Sequence, residues 1–254
     1  MNKNILEKIH DKREFSQLPE KDIELAYEQF EKRQTSDEEK IKLTKELLRK
    51  IFSAFISKKL LSLKEKEPEW ILRKHISTRE RLNYYKEIYQ RIFEEHKKAS
   101  VIDLGAGING FSYKFFKEED LDIDYTAIES VGQLVDLMNF YFRKNKLNSR
   151  GIHLSLFELE KVKKIIKEKK KPRIVFLFKV IDALESLKRD YSKELINELA
   201  SVSDKIVVSF ATKSLGNRTK FKANRTWISE FIYDHFKVSD DFELGGERYI
   251  VFEK

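Results

Sequence analysis

The sequence predicts an α/β fold: a parallel sheet flanked by helices, an all-helical segment before it, and an antiparallel hairpin closing it. Three observations carry this. After Pro68, β-branched apolar runs alternate with helix-period runs, which is the grammar of strand–helix–strand units. The first of those runs ends in a glycine cluster. The last run reads strand, turn, strand instead of strand, helix.

In chain order, the first 75 residues read as helical. A short helix is expected over Asp22–Arg33, and no proline interrupts the chain between Pro19 and Pro68. From Asp37, the residues Ile41, Leu43, Leu47, Leu48, Ile51, Phe52, Phe55, Ile56, Leu60, Leu61 and Leu63 recur mostly at spacings of three and four. They form one apolar stripe on a helix that Ser36 or Asp37 would cap. Strands are expected at Ser100–Leu104, Asp124–Ile128, Gly151–Phe157, Arg173–Phe178 and Asp204–Phe210. The nearly continuous apolar run RIVFLF suits a central parallel strand, buried on both faces. Helices are expected over Val131–Lys144 and Tyr191–Val202. Phe236–Val238, Phe242–Leu244, Gly245–Gly246 and Arg248–Phe252 form the terminal hairpin. The division is a helical domain over 1–74 and a sheet domain over 75–254.

Composition excludes several classes of chemistry. With no cysteine in 254 residues there is no disulfide, thiolate metal site, iron–sulfur cluster or thiol nucleophile. The five histidines show no metal-ligand spacing, and no metal is expected. No apolar run approaches the roughly 18–20 residues of a membrane span. A cytoplasmic monomer is expected. The net charge of +8 is small against 51 basic and 43 acidic residues, but it is unevenly spread. Residues 1–39 hold 7 basic and 11 acidic side chains, and residues 40–74 hold 11 and 4. Residues 161–173 hold 8 and 1, and residues 212–225 hold 5 basic and none acidic. Three basic islands suggest contact with a polyanion, although any one of them is equally well ordinary solvated surface.

The strongest chemical motif is VIDLGAGINGF, Val101 to Phe111. Gly105, Gly107 and Gly110 fit G-x-G-x-x-G between a strand and a helix, which allows a tight turn and close approach of a ligand. Nicotinamide enzymes and S-adenosylmethionine (AdoMet) methyltransferases share such a turn, and Glu129 suits the ribose of either. Asp103 favours AdoMet. A carboxylate beside a pyrophosphate repels it, whereas AdoMet carries a sulfonium and an ammonium group. The terminal hairpin also resembles the antiparallel last strand of class I methyltransferases, whose Rossmann-like sheet is therefore the expected fold.

Four runs in order extend the resemblance: HISTRERL from His75, VIDLGAGINGF, VFLFKVIDALE from Val175 and VVSFATKSLGNR from Val207. Together they resemble the ribosomal RNA guanine-N7 methyltransferases that confer high-level aminoglycoside resistance by modifying small-subunit RNA at the decoding site. The resemblance runs from about Ile71 to the end of the chain. It implies AdoMet as cofactor, and 16S rRNA in the 30S subunit as substrate and partner, with the helical segment helping to dock.

Residue by residue, the resemblance implies that Arg81 pairs with the AdoMet carboxylate and that Asp103, Gly105 and Gly107 hold its amino-acid end. Glu129 stands where the family usually has Asp, facing the ribose. Phe157 and Glu158 lie where the adenine edge is expected, though Phe157 is equally readable as core. Ser77-x-x-Glu80 reads as a capping box opening the helix that carries Arg81. His75 reads as a structural histidine. Lys179 replaces the Asp/Asn-Pro-Pro-aromatic motif of amine methyltransferases. It is expected to touch the target nucleotide, the alternative being a salt bridge to Asp182 or Glu185. Lys213 and Arg218 match the family's basic loop beside the target base, where Ser214 and Asn217 would add phosphate contacts. Trp227 reads as helix packing. The chain departs from the family pattern where Gly110, Asp182 and Ala211 replace expected prolines or their neighbours. A methyltransferase acting on tRNA or another rRNA position, and an rRNA-binding relative without turnover, remain open alternatives.

Overall fold

The computed structural model describes residues 1–53, 66–212 and 225–254. Its centre is a seven-stranded sheet in the order β3-β2-β1-β4-β5-β7-β6. The strands are β1 (Lys98–Leu104), β2 (Asp122–Glu129), β3 (Ser149–His153), β4 (Arg173–Phe178), β5 (Lys205–Ala211), β6 (Lys237–Leu244) and β7 (Glu247–Glu253). The first five run parallel, and β7 pairs antiparallel with both β5 and β6. This is the expected class I methyltransferase sheet with its closing hairpin.

Alternate strand residues feed two cores, as a pleated sheet covered on both faces requires. Val101, Tyr125, Phe176 and Val251 point to one face, and Ile102, Ile128, Val175 and Phe252 to the other. The first face is covered by α6 (Tyr85–Ile92), α7 (Tyr113–Glu118) and α8 (Gly132–Lys144). The second is covered by α9 (Leu159–Lys167), α10 (Ile181–Leu187), α11 (Tyr191–Ala200) and α12 (Thr226–His235).

The N-terminal helices are α1 (Lys3–His10), α2 (Glu20–Glu31) and α3 (Asp37–Leu48), followed by α4 (Pro68–Leu72) and α5 (Ile76–Arg81). Ser36 caps α3, its hydroxyl accepting from the Glu39 amide at 3.3 Å. The helix expected to run on past Leu48 gives way to one π-helical turn, Arg49–Ser53, and Arg49 turns back to bond Glu14 at 2.7 Å. The stripe residues Phe55 to Leu63 lie outside the described residues. Ile9, Phe15, Leu18, Ile23 and Tyr27 join the same apolar cluster as the first sheet face. The helical region is thus packed into the core of the sheet.

Two local expectations are corrected. β3 ends at His153, the Leu154 amide makes a last bond to the Glu129 carbonyl at 3.2 Å, and the polar groups of Ser155 and Leu156 bond elsewhere. The Ser155 hydroxyl donates to Asp22, and the Leu156 carbonyl accepts from the Tyr191 hydroxyl at 2.6 Å. The basic run 161–173 lies on α9 and at the amino end of β4, while the glycine turn lies at the carboxyl ends of the strands. Much of its charge is paired internally: Lys163 with Glu198 at 2.5 Å, Lys169 with Asp124 at 2.8 Å and Lys171 with Asp204 at 3.1 Å.

Candidate active site

In an open parallel sheet, ligands bind outside the carboxyl ends of the strands, where the winding direction reverses. Here that point is β1, whose neighbours are β2 and β4. A cleft with about 920 Å³ of empty space, part of it open to solvent, lies there. Its wall includes Asp103, Gly105, Gly107, Glu129, Phe157 and Lys179, together with Arg81 and His75 from α5 and its cap.

The turn after β1 is built as its glycines require. Gly105 and Gly107 adopt φ of +67° and +55°, a region that L side chains disfavour. A Cβ on Gly105 would stand 2.5 Å from the Val180 side chain, and one on Gly107 3.3 Å from the His75 ring. Gly110, where the resemblance expects proline, lies against Phe142 and Met138, which a Cβ would meet at 2.5 and 2.9 Å. Packing therefore selects glycine at that departure.

Asp103, at the end of β1, is buried, and burial pushes its carboxyl up to about 6. Its Oδ2 accepts from Tyr125 at 2.6 Å and from the Asn109 amide at 2.7 Å, while Oδ1 has no hydrogen-bond partner. Glu129 is also buried and pushed up by burial, although it accepts backbone N–H bonds from Gly107 at 2.7 Å and Val131 at 2.9 Å. The carboxylate at the end of β2 thus holds the turn after β1 in place.

Arg81 is buried in a network that crosses the fold. Its Nε donates to Glu247 on β7 at 3.0 Å, its Nη1 donates to Asn109 at 3.1 Å, and its guanidinium lies 5.0 Å from the centre of the Phe178 ring. Burial alone would push Glu247 up, but Arg81 and Lys179 outweigh it and hold the carboxyl below its ordinary value. Ser209 also donates to Glu247. Lys179 reaches Glu247 at 3.0 Å and Glu80 at 2.6 Å. Its backbone has φ +55°, strain of the kind that sites retain when their surroundings enforce it. The alternative reading of Lys179, a pairing with Asp182 or Glu185, is corrected, because its ion pairs are with Glu80 and Glu247. Asp182 bonds Arg225, and Glu185 accepts the amides of Asp190 and Ser192. The capping box is corrected too. His75 occupies the N-cap of α5 without a side-chain cap bond, so Ser77 falls inside the helix and Glu80 turns to Lys179.

His75 is half-buried at the cleft wall, and desolvation together with Arg81 and Lys179 holds its ring down at about 3. It stays neutral at physiological pH, which fits the structural reading. Phe157 is half-buried, lies tilted against Tyr191 with ring centres 4.5 Å apart, and also lines the cleft. Glu158 sits at the N-cap of α9, pairs with Lys161 and is absent from the cleft wall. Trp227 packs against the second core with Lys193 5.5 Å from its ring centre. Lys213, Ser214, Asn217 and Arg218 lie outside the described residues.

Three groups escaped the sequence reading. Glu247 holds Arg81, Asn109 links Arg81 to Asp103, and Asp22 enters the cleft wall from α2. Asn109 lay within the glycine motif and was legible as a polar residue of the turn. Nothing local marks Glu247 or Asp22 as buried. A second hollow adjoins the cleft at Ser77 and Lys179, and is lined further by Lys50, Glu80, Asp182 and Arg225.

Comparison with known proteins follows the same lines. The family described as Ribosomal RNA methyltransferase (FmrO) matches residues 40–231. A 16S rRNA (guanine(1405)-N(7))-methyltransferase of Micromonospora echinospora is 29% identical over 147 residues, covering 58% of this chain and 50% of that protein. One of the same name from Proteus mirabilis is 24% identical over 189 residues, covering 72% and 64%. The chain thus spans about half to two thirds of the length of the curated relatives it matches. The fold is that of the crystal structure of the 16S rRNA methyltransferase RmtF in complex with S-adenosyl-L-homocysteine. The two share a TM-score of 0.81 at 20% identity, covering 100% of this chain and 99% of that one. The 16S rRNA methylase RmtB gives a TM-score of 0.79 at 17% identity, covering 99% and 97%. With three quarters of its length matched by one family, on a sheet and a glycine turn of the kind that family's resemblance implied, this chain belongs to the FmrO ribosomal RNA methyltransferases.

Proposed function

We propose that the protein transfers a methyl group from AdoMet to small-subunit ribosomal RNA, at N7 of a decoding-site guanine in the 30S subunit. The observation that carries the reading is Asp103. A buried carboxylate with one unpartnered oxygen, beside two left-handed glycines at the switch point of the sheet, suits a small cationic ligand. A phosphate there would face an uncompensated negative charge.

The residues present fit the cofactor. Bound in the cleft, AdoMet supplies an electrophilic methyl group. Asp103 Oδ1 would accept from the ammonium end, and Arg81 would meet the carboxylate of the same end. Glu129 would bind the ribose, and Phe157 would offer a ring face to the adenine. Guanine N7 carries its own lone pair and loses no proton on methylation, so no general base is required. Neutral His75 is held far from the pKa of a useful base. Catalysis then rests on orientation and on the exclusion of water. Lys179 lies on the rim shared by the cleft and the second hollow, where a flipped guanine nucleotide would enter. Lys213 and Arg218 complete the basic loop by resemblance.

The test is methylation of purified 30S subunits, 50S subunits and tRNA with labelled AdoMet, followed by mapping of the modified nucleotide. Label at a decoding-site guanine of 30S is the expected result. Label confined to tRNA would reject the substrate, and no label with any RNA would reject the activity.

A further inference from the structure

Asp22 stands on the N-terminal helix α2, in a region whose expected task is docking. It is nonetheless 1% exposed and part of the cleft wall. Its Oδ1 accepts from the Ser155 hydroxyl, and its Oδ2 has no hydrogen-bond partner. An ionised carboxylate shut away from water with one oxygen unpaired is costly unless a donor completes it. Burial accordingly pushes Asp22 up to about 6, with Glu158 adding to the rise and Ser155, Ser130 and His153 opposing it.

The place of Asp22 says which donor that is. Ser155 comes two residues after β3 and two before Phe157, so Asp22 is bonded to the segment that leads from β3 to the expected adenine edge. Glu129 already accepts from Gly107 and Val131 and is assigned to the ribose. Glu158, the carboxylate expected at the adenine edge, points to Lys161 and takes no part in the cleft wall. We infer that Asp22 accepts a hydrogen bond from the exocyclic amine of the cofactor's adenine, so that the N-terminal helical region supplies a recognition residue of the cofactor site. This rests on the proposed use of AdoMet. The group recognised is an aromatic amine, and its deaminated counterpart would present a carbonyl oxygen to the carboxylate and be repelled.

The experiment is calorimetric titration of the full-length protein and its D22A variant with S-adenosylhomocysteine and with S-inosylhomocysteine, in which a carbonyl replaces the amine. A hydrogen bond to a charged group predicts that the wild type prefers the amine by about tenfold or more. In D22A that preference falls to within about threefold. A general loss of packing weakens both ligands alike and leaves their ratio unchanged, so the ratio isolates the contact. An equal preference in wild type and D22A overturns the inference while leaving the cofactor reading intact. Failure of the wild type to bind S-adenosylhomocysteine overturns both.

Discussion

At the scale of single residues, the cleft is a collection of carboxylates held out of water. Asp22 and Asp103 are each pushed by burial to about 6, and Glu129 is pushed up as well. An acid whose folded pKa exceeds its unfolded value binds its proton more tightly when folded. Its contribution to stability is therefore complete below the unfolded value, near 3.8, and is lost as pH rises through about 6. D22N does not titrate. Its stability relative to wild type should rise between pH 4 and pH 7, by about 3 kcal/mol at most. Parallel denaturant unfolding at several pH values checks this, and a stability difference independent of pH would reject it. Asp103 was legible in the sequence because it stands two residues before the glycine turn. Asp22 was not, because an acidic residue in the first turn of a helix is an ordinary sight on a solvated face.

Among the elements, the network of Arg81, Glu247, Lys179 and Asn109 joins α5, β7, the segment after β4 and the turn after β1. Removing one member of a buried pair leaves the other charged and uncompensated, at a cost of about 3–5 kcal/mol. E247Q should lose that much stability, because Arg81 has no second carboxylate among its hydrogen-bond partners in the described residues. K179M should lose far less, since Glu247 keeps Arg81 and Ser209. Urea unfolding of both variants separates the cases, and equal losses would show that the network does not divide this way. HISTRERL announced Arg81, but the same run was misread as a capping box. Ser77 and Glu80 have the right spacing, and what moves Glu80 to another task is Lys179, distant in sequence and adjacent in space.

For the whole molecule, the proposed function makes charge pattern and strand polarity the guides to where RNA would lie. The second hollow beside the cleft carries Lys50, Lys179 and Arg225 together with Glu80 and Asp182, whereas the lysines of 161–173 lie on α9 and just before β4 and line neither the hollow nor the cleft. If the proposed function holds, affinity for 30S particles falls steeply between about 50 and 200 mM salt, as phosphate contacts release counterions. K50E should weaken that affinity and flatten its salt dependence. K164E/K170E, at exposed positions of the distant run, should leave both within about twofold of wild type. Filter binding across a salt series reads all three proteins. An equal effect of the two charge reversals would return the 161–173 run to the RNA face.

The sequence by itself determined the sheet, its switch-point turn and its closing hairpin. These follow from local signals: β-branched runs, helix-period stripes, and glycines where φ must be positive. It also determined which of the four ordered motifs to compare, and hence the family. Tertiary structure alone decided that β3 stops at His153, that the basic run 161–173 adds no residue to the cleft wall, that Asp22 is buried in that wall, and that Glu247 is buried against Arg81. Those outcomes depend on which distant side chains meet. Burial and charge pairing are properties of that meeting, and no spacing along the chain encodes them.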